Sequence, residues 1–219
     1  TLEQMIIDLQ KSLENLLEKS VDQSRIKEIS DSFILYLPTL KDILIKDIIS
    51  IYNGDPAAKS KYEVFRTYPG FLAIFHHRIA HFFYQKDIPL IPRFINEIAH
   101  SKTGIDIHPG AKIGEYFCID HGTGIVIGET TIIKDHVKIY QGVTLGALSV
   151  KSKRSDKQRH PIIESNVTIY AGTTILGGTT VIGKNTIIGG NNWITKSIPK
   201  NSKVYITKSN ETILTKDKK

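Results

Sequence analysis

The sequence predicts an α+β protein in which an N-terminal all-helical domain is followed by a parallel β-helix of hexapeptide repeats. Two observations lead to this prediction. Aliphatic residues recur at the helical period of about 3.6 as far as residue 99, and after Gly104 the period becomes six. We therefore place a helical domain at 1–103, a β-helix at 104–206 with a loop at 148–160, and a charged C-terminal tail at 207–219.

Four amphipathic helices are expected in the first domain. The first carries its apolar stripe from Leu2 to Leu17. The second is predicted to begin near Pro38, because proline suits a first helical turn, and to end where Gly54 can cap it. The third spans Phe71–Phe83, and the fourth lies around Ile91–Ile98 and leads to Gly104. Three histidines of the third helix have offsets that do not converge on one metal: His76, His77 and His81.

The second domain is predicted from aliphatic and aromatic residues that step by six. A sheet that alternates buried and exposed residues would show a period of two, so short strands stacked into a triangular prism account better for the pattern. Three hexads make one coil of eighteen residues. The positions are Ile107, Ile113, Ile119, Ile127, Ile133, Ile139, Leu145, Ile163, Ile169, Ile175, Val181, Ile187 and Trp193.

The repeat is broken in two places, and broken repeats are where solenoids build sites. Between Ile119 and Ile127 the step is eight instead of six. Between Leu145 and Ile163 lies a polar, basic stretch that we interpret as a loop leaving the prism.

Composition excludes several classes of protein. No apolar run approaches the ~20 residues of a membrane span, and the first nineteen residues do not read as a signal peptide, so a cytoplasmic protein is expected. The single cysteine, Cys118, cannot form an internal disulfide. The net charge of +7 is concentrated at 151–159 and 196–219 without an aromatic stacking pattern. This distribution fits a small phosphorylated ligand better than a nucleic acid.

Several motifs, taken in order and spacing, resemble the serine acetyltransferases of the hexapeptide-repeat acyltransferase family. The resemblance covers roughly residues 35–200 and implies that the β-helix is left-handed. The motifs are Asp55–Ala57, Tyr68–Phe71, Gly104–Pro109, Ile119–Thr130, Gly142–Gly146 and Arg159–Pro161.

The resemblance implies transfer of the acetyl group of acetyl-CoA to the hydroxyl of L-serine. It makes His121 the general base, oriented by Asp106. It assigns Asp55, Asp120, His121, Arg159 and His160 to the amino-acid site, where carboxylates and cations can hold a zwitterion. It places Gly146, Ala147, Ala171 and Gly189 beside CoA. No metal is expected.

The resemblance also implies partners. These are a homotrimer or a dimer of trimers, with sites between adjacent subunits, and L-cysteine as a feedback inhibitor. Binding to O-acetylserine sulfhydrylase is left open, because the tail lacks the terminal isoleucine by which some relatives dock. Neither a nucleic acid nor a membrane is expected as a partner.

Two other functions remain open at this point. One is a hexapeptide-repeat acetyltransferase acting on a sugar or xenobiotic hydroxyl. The other is a zinc-dependent hydratase of carbonic-anhydrase type, for which the sequence supplies imidazoles. They are His108, His121, His136 and His160.

Overall fold

The computed structural model describes residues 1–148 and 158–206, together with the backbone of a strand at Thr212–Lys216. Most of the predicted loop and part of the predicted tail therefore lie outside the described residues. Five helices come first in the described chain. They are α1 (Leu2–Leu17), α2 (Gln23–Gly54), α3 (Lys61–Thr67), α4 (Pro69–Tyr84) and α5 (Ile91–Thr103).

Helix α2 begins fifteen residues earlier than predicted, at Gln23, so the expected start near Pro38 is wrong. Proline lacks an amide hydrogen and removes one hydrogen bond from a helix interior. Buried residues continue on both sides of it, among them Phe33 and Leu40. Packing of this continuous apolar stripe therefore outweighs the lost hydrogen bond.

The other helices lie close to their predicted positions. Helix α4 extends the expected Phe71–Phe83 by a few residues, and α5 is capped by Gly104, which adopts the left-handed conformation with φ of 68°. Helix α3 was not predicted. It has seven residues, and its N-cap Ser60 accepts a hydrogen bond from the amide of Glu63. None of the described helices is both long and apolar enough to cross a membrane.

Short strands follow, and they pair in parallel along three faces of a prism. One face orders the strands β1-β4-β7-β10-β13, the second β11-β8-β5-β2, and the third β15-β14-β12-β9-β6-β3, where only β15 is antiparallel. The strands are β1 (Asp106–Ile107), β2 (Lys112–Ile113), β3 (Cys118–Asp120), β4 (Val126–Ile127), β5 (Ile132–Ile133), β6 (Lys138–Tyr140), β7 (Thr144–Gly146), β8 (Ile162–Ile163), β9 (Thr168–Ile169), β10 (Thr174–Leu176), β11 (Val181–Ile182), β12 (Ile187–Ile188), β13 (Trp193–Ile194), β14 (Ser202–Ile206) and β15 (Thr212–Lys216).

Coil length varies along the first face of the prism. Asp106 pairs with Val126, twenty residues later, and Val126 pairs with Thr144 after a regular eighteen. Thr144 then pairs with Thr174, thirty residues on, and Thr174 pairs with Trp193 after nineteen. The first and longest excesses fall at the two breaks seen in the sequence. The nineteen-residue coil was not anticipated.

That extra residue shifts the inward register. Ile163, Ile169 and Ile175 are fully buried as predicted, but the next buried positions are Ile182, Ile188 and Ile194. Val181, Ile187 and Trp193 therefore do not face the core, and Trp193 is 69% exposed. The cause is the turn after β10, where Gly177 adopts a φ of 100° and the corner takes one residue more than a hexad.

Side chains of the helices pair with the open edge of the first coil. Within that coil, the amides of Cys118 and Gly114 donate hydrogen bonds to carbonyls of the next coil. The amide of Phe117 and the carbonyl of Ile113 have no hydrogen bond to a neighbouring strand among the described residues. The carboxylate of Asp47, on α2, accepts the Phe117 N–H at 3.0 Å, and the guanidinium of Arg78, on α4, donates to the Ile113 carbonyl at 3.2 Å. Asn96 of α5 likewise donates to the carbonyl of Ile107.

Asp47 and Arg78 also form a buried ion pair, with Nε to Oδ2 at 2.6 Å and Nη2 to Oδ1 at 2.9 Å. Burial of Asp47 raises its pKa, although its bonds to Arg78 act in the opposite direction. The pair therefore joins α2, α4 and the β-helix in one hydrogen-bonded unit.

Candidate active site

Two clusters of polar side chains lie at different edges of the prism. The first, which we call the carboxylate edge, follows β3 and comprises residues 120–125 together with Asp55. The second, which we call the arginine edge, follows β4 and comprises residues 128–131 together with Arg159 and His160.

At the carboxylate edge, Asp55 is held by its own loop. It follows the last residue of α2. Its Oδ1 accepts the N–H of Ala57 at 2.8 Å, and its Oδ2 accepts the hydroxyl of Tyr68 at 2.7 Å. These two bonds lower the pKa of Asp55. The bond between Tyr68 and Asp55 also raises the pKa of Tyr68 to about 12. Asp55 is thus an oriented, ionised carboxylate that is still open to solvent.

Asp120 ends β3 and is paired with Lys138. The Lys138 Nζ is 2.8 Å from Asp120 Oδ2 and donates to the carbonyl of Gly54 at 2.6 Å. Burial alone would lower the pKa of Lys138, but its bonds to Asp120 and Tyr140 raise the pKa overall. Asp120 Oδ1 remains on the side facing His121.

His121 is the exposed group of this edge. Its side chain is 72% exposed, and its Nε2 lies 3.6 Å from Asp120 Oδ1. The residue adopts a left-handed φ of 57°, in the turn that accommodates the first insertion. An imidazole beside two carboxylates can take a proton from a bound hydroxyl group.

Asp106 lies at the same edge but does not bond to His121 within the described chain. It begins β1, two residues after Gly104, whose carbonyl accepts the N–H of Gly124. The carboxylate of Asp106 lies instead near Glu97 and His100, with one ligand atom from each of the three within 4.8 Å of the others. The expected pairing of Asp106 with His121 therefore remains a prediction.

At the arginine edge, Arg159 forms an ion pair with Glu129. Tyr84 of α4 donates its hydroxyl to Glu129 Oε1 at 3.0 Å. Burial would raise the pKa of Glu129, but the Tyr84 bond and the electrostatic effects of the neighbouring His108 and Arg159 lower it. The Nε of Arg159 is buried and has no hydrogen-bond partner among the described residues.

His160 is fixed beside Arg159 by Thr130. Its Nδ1 lies 3.1 Å from the Thr130 amide nitrogen and 2.9 Å from the Thr130 hydroxyl. Gly128 leaves room for the imidazole ring, because a side chain there would overlap it. Burial, followed by the charge of Arg159, lowers the pKa of His160. A neutral imidazole and a guanidinium therefore face the same edge.

The two edges cannot share one small ligand within a single chain. They lie at opposite ends of β4, and a face of six residues spans about 20 Å at 3.3 Å per residue. The residues expected to contact CoA divide in the same way. Gly146 ends β7 and Ala147 follows it on the arginine side, whereas Ala171 and Gly189 follow β9 and β12 on the carboxylate side.

Close packing also explains why two of these positions are small. A Cβ at Gly146 would lie 2.8 Å from Leu176 Cδ2, and one at Gly189 would lie 2.9 Å from the Val204 carbonyl. At Gly189 the contact is with backbone, so the prism itself favours glycine there, whereas at Gly146 the leucine side chain could move aside.

Sequence reasoning missed Tyr68, Lys138, Glu129 and Tyr84. Tyr68 and Glu129 lie inside the quoted motifs, but nothing in the motif identifies their partners. Lys138 could have been found from the coil length, because twenty residues separate it from its strand partner Cys118, two positions before Asp120.

Comparison with known proteins agrees with this architecture. The family model described as "Serine acetyltransferase, N-terminal" matches residues 2–75. A plasmid-encoded serine acetyltransferase of Synechococcus elongatus is 51% identical over 180 residues, which are 80% of this chain and 56% of that protein. The chain thus spans just over half of the length of this curated relative.

Solved structures extend the comparison. Serine acetyltransferase isoform 3 of Entamoeba histolytica, in complex with cysteine, has a TM-score of 0.85 and 39% identity, covering 97% of this chain and 74% of that one. The serine acetyltransferase of Brucella abortus, in complex with coenzyme A, has a TM-score of 0.73 and 33% identity. The match covers 84% of this chain and 72% of that one.

Helices followed by a parallel β-helix of about four coils place the chain in the class of hexapeptide-repeat proteins. The left-handed parallel β-helix expected from the sequence is the fold of this class. Within the class, the chain belongs to the serine acetyltransferase family.

Proposed function

We propose that this protein is a serine O-acetyltransferase, which transfers acetyl from acetyl-CoA to L-serine and yields O-acetyl-L-serine and CoA, the first step of cysteine biosynthesis. The observation that carries the proposal is the carboxylate edge, where the oriented carboxylates of Asp55 and Asp120 flank the exposed imidazole of His121. Relatives that are crystallised with cysteine and with coenzyme A support it.

In the proposed reaction, His121 takes the proton of the serine hydroxyl as its oxygen attacks the thioester carbonyl. The carbon–sulfur bond then breaks, and His121 returns the proton to the sulfur of CoA. The direct transfer needs no nucleophilic residue on the protein. Asp106 is proposed to orient the ring of His121 and to stabilise its charged form. This pairing requires the exposed side chain of His121 to rotate towards Asp106.

The serine zwitterion needs groups from both edges. Asp55 and Asp120 would bind its ammonium, and Arg159 and His160 would bind its carboxylate. Because the two edges are separated by a face of the prism, the complete site is proposed to form where the carboxylate edge of one subunit meets the arginine edge of the next. A cyclic trimer satisfies this at three equivalent interfaces.

The CoA residues divide between the same two edges, so one interface would hold both substrates. Exposed apolar residues on the first two helices, such as Met5 and Leu35, fit the proposed pairing of two trimers. L-cysteine is proposed as an inhibitor that occupies the serine site, because it carries the same ammonium and carboxylate.

The test is an assay of thiol release from acetyl-CoA by the purified protein, with L-serine, D-serine, an amino sugar and no acceptor. We expect release with L-serine only and a product of the mass of O-acetylserine. The thiol of Cys118 will add little to the measured thiol signal, since burial raises the pKa of this group to about 12. Equal rates with the amino sugar would overturn the proposal, and bound zinc without thiol release with any acceptor would favour a hydratase.

A further inference from the structure

Lys138 links the two halves of the molecule at the carboxylate edge. Its Nζ donates to the Gly54 carbonyl at the end of α2 and pairs with the Asp120 carboxylate of the β-helix, at 2.6 and 2.8 Å. The Tyr140 ring covers the same ammonium, with its centroid 4.5 Å away. The Lys138 side chain is only 19% exposed, so it has a fixed position and not a solvated one.

These contacts relate two carboxylates that belong to different halves of the chain. Gly54 immediately precedes Asp55, and a cation at the C-terminal end of a helix is favoured by the helix dipole. Asp120 receives the same cation on its Oδ2. One ammonium group therefore fixes the backbone next to Asp55 and the side chain of Asp120 at once.

Resting on the proposed function, we propose that Lys138 is a positioning residue that sets the separation of Asp55 and Asp120 and thereby determines the affinity for the ammonium of serine. Together, the carboxylates of Asp55 and Asp120 and the ammonium of Lys138 carry one net negative charge. That charge matches the single positive charge of the substrate's ammonium.

Loss of Lys138 would have two opposing effects on serine binding. It would add a negative charge beside the incoming ammonium, but at an edge as open as that of His121 such a pairing changes affinity by about fivefold or less. It would also release Asp120 and the backbone next to Asp55, and displacing binding groups by about 1 Å can reduce a rate about 100-fold. The loss of position is therefore expected to dominate.

The experiment compares Lys138→Met with Lys46→Met. Lys46 is a matched control, because its Nζ also joins α2 to the first coil, through Glu115 at 2.8 Å, but away from the carboxylate edge. In Lys138→Met we expect the KM for serine to rise by about 10- to 100-fold, while the KM for acetyl-CoA changes less than about twofold. Lys46→Met should leave both KM values near those of the wild type.

Thermal melting of both variants separates misfolding from misplacement. If Lys138→Met melts well below Lys46→Met, then Lys138→Gln, which keeps a neutral donor, provides the same measurement with the same expected split between the two substrates. A serine KM that is unchanged or lowered, or a rise shared equally by both substrates, overturns the positioning role. Failure of the wild type to acetylate serine would instead overturn the proposed function, and the inference with it.

Discussion

Tyr68 and Asp55 lie at the ends of two different helices and are joined by a hydrogen bond of 2.7 Å from the Tyr68 hydroxyl to Asp55 Oδ2. Tyr68 is the N-cap residue of α4, and Asp55 is the C-cap residue of α2. The bond therefore gives the carboxylate a direction that its own loop, through Ala57, only partly determines.

Tyr68→Phe should raise the KM for serine by about tenfold, because the hydrogen bond to a charged acceptor is lost without loss of the ring. The folded pKa of Asp55 is depressed by this bond, so removing it should shift the acid limb of serine binding to higher pH. Steady-state kinetics against pH provide the measurement. Tyr62→Phe is the control, since Tyr62 is 72% exposed. A serine KM in Tyr68→Phe equal to that of the control would contradict the role given to this bond.

His121→Ala should lower kcat by about 10²- to 10⁴-fold, the usual contribution of a general base. Binding of acetyl-CoA, measured by calorimetry, should change little. Asp106→Asn should have a smaller effect on kcat, because it leaves the base itself in place. Near-normal turnover by His121→Ala would show that another group accepts the proton.

A mixture of two inactive variants should be active if the site lies between subunits. His121→Ala removes the base from the carboxylate edge, and Arg159→Ala removes a donor from the arginine edge. In mixed trimers that contain both variants, about a third of the interfaces would carry both intact edges, because a cyclic assembly of two subunits of one kind and one of the other brings an intact carboxylate edge against an intact arginine edge only once. Trimers isolated by two affinity tags are assayed for turnover. Activity no higher than that of either parent would mean that the site is complete within one chain.

L-cysteine should inhibit competitively with respect to serine. A thiol placed beside His121 can ionise and pair with the imidazolium, which the serine hydroxyl cannot do, so cysteine is expected to bind more tightly than serine. Initial rates at fixed acetyl-CoA and varied serine test this. We expect a higher apparent KM for serine at millimolar cysteine and an unchanged kcat; a lowered kcat with unchanged KM would place cysteine elsewhere.

Stability should fall as the pH is lowered through the range in which histidines titrate. Burial of His77, with the charges of His81 and Arg78 nearby, holds its pKa well below the ordinary value. The unfolded chain then binds a proton from about pH 6.5 downward while the folded chain does not, so protonation favours unfolding. Melting temperatures near pH 7.5 and pH 5.5 should differ less in His77→Gln than in His76→Gln, the half-buried neighbour. An equal difference in both variants would remove His77 as the cause.

The sequence predicted the fold where a single local period governs it. Hexads placed the buried residues correctly as far as Ile175, because each strand and turn uses six residues. After the corner at Gly177 the register moved by one residue, since the length of a turn is set by backbone conformation and not by the aliphatic pattern. The predicted helix start near Pro38 was wrong for a related reason. The local preference of proline for a first helical turn was overridden by packing along the whole of α2.

Site residues were predictable only where a motif contained them. The structure brings Asp55, Asp120 and His121 to one edge, and it puts Arg159 and His160 at another. Lys138 and Tyr68 were missed because their importance lies in partners far away in the chain, at Gly54 and Asp55. Such contacts depend on how α2 and α4 pack against the first coil, which no period in the sequence records.

The hydrogen bonds that Asp47, Arg78 and Asn96 form with the first coil also determine in which direction the prism can be extended. An uncovered coil would offer free amides and carbonyls to any strand, including the last coil of another molecule, and head-to-tail stacking of that kind leads to fibres. Here one amide and two carbonyls of the starting edge are already bonded to helix side chains. The helices therefore contribute residues to the candidate site and also close this end of the β-helix. By closing it, they oppose head-to-tail stacking of further molecules.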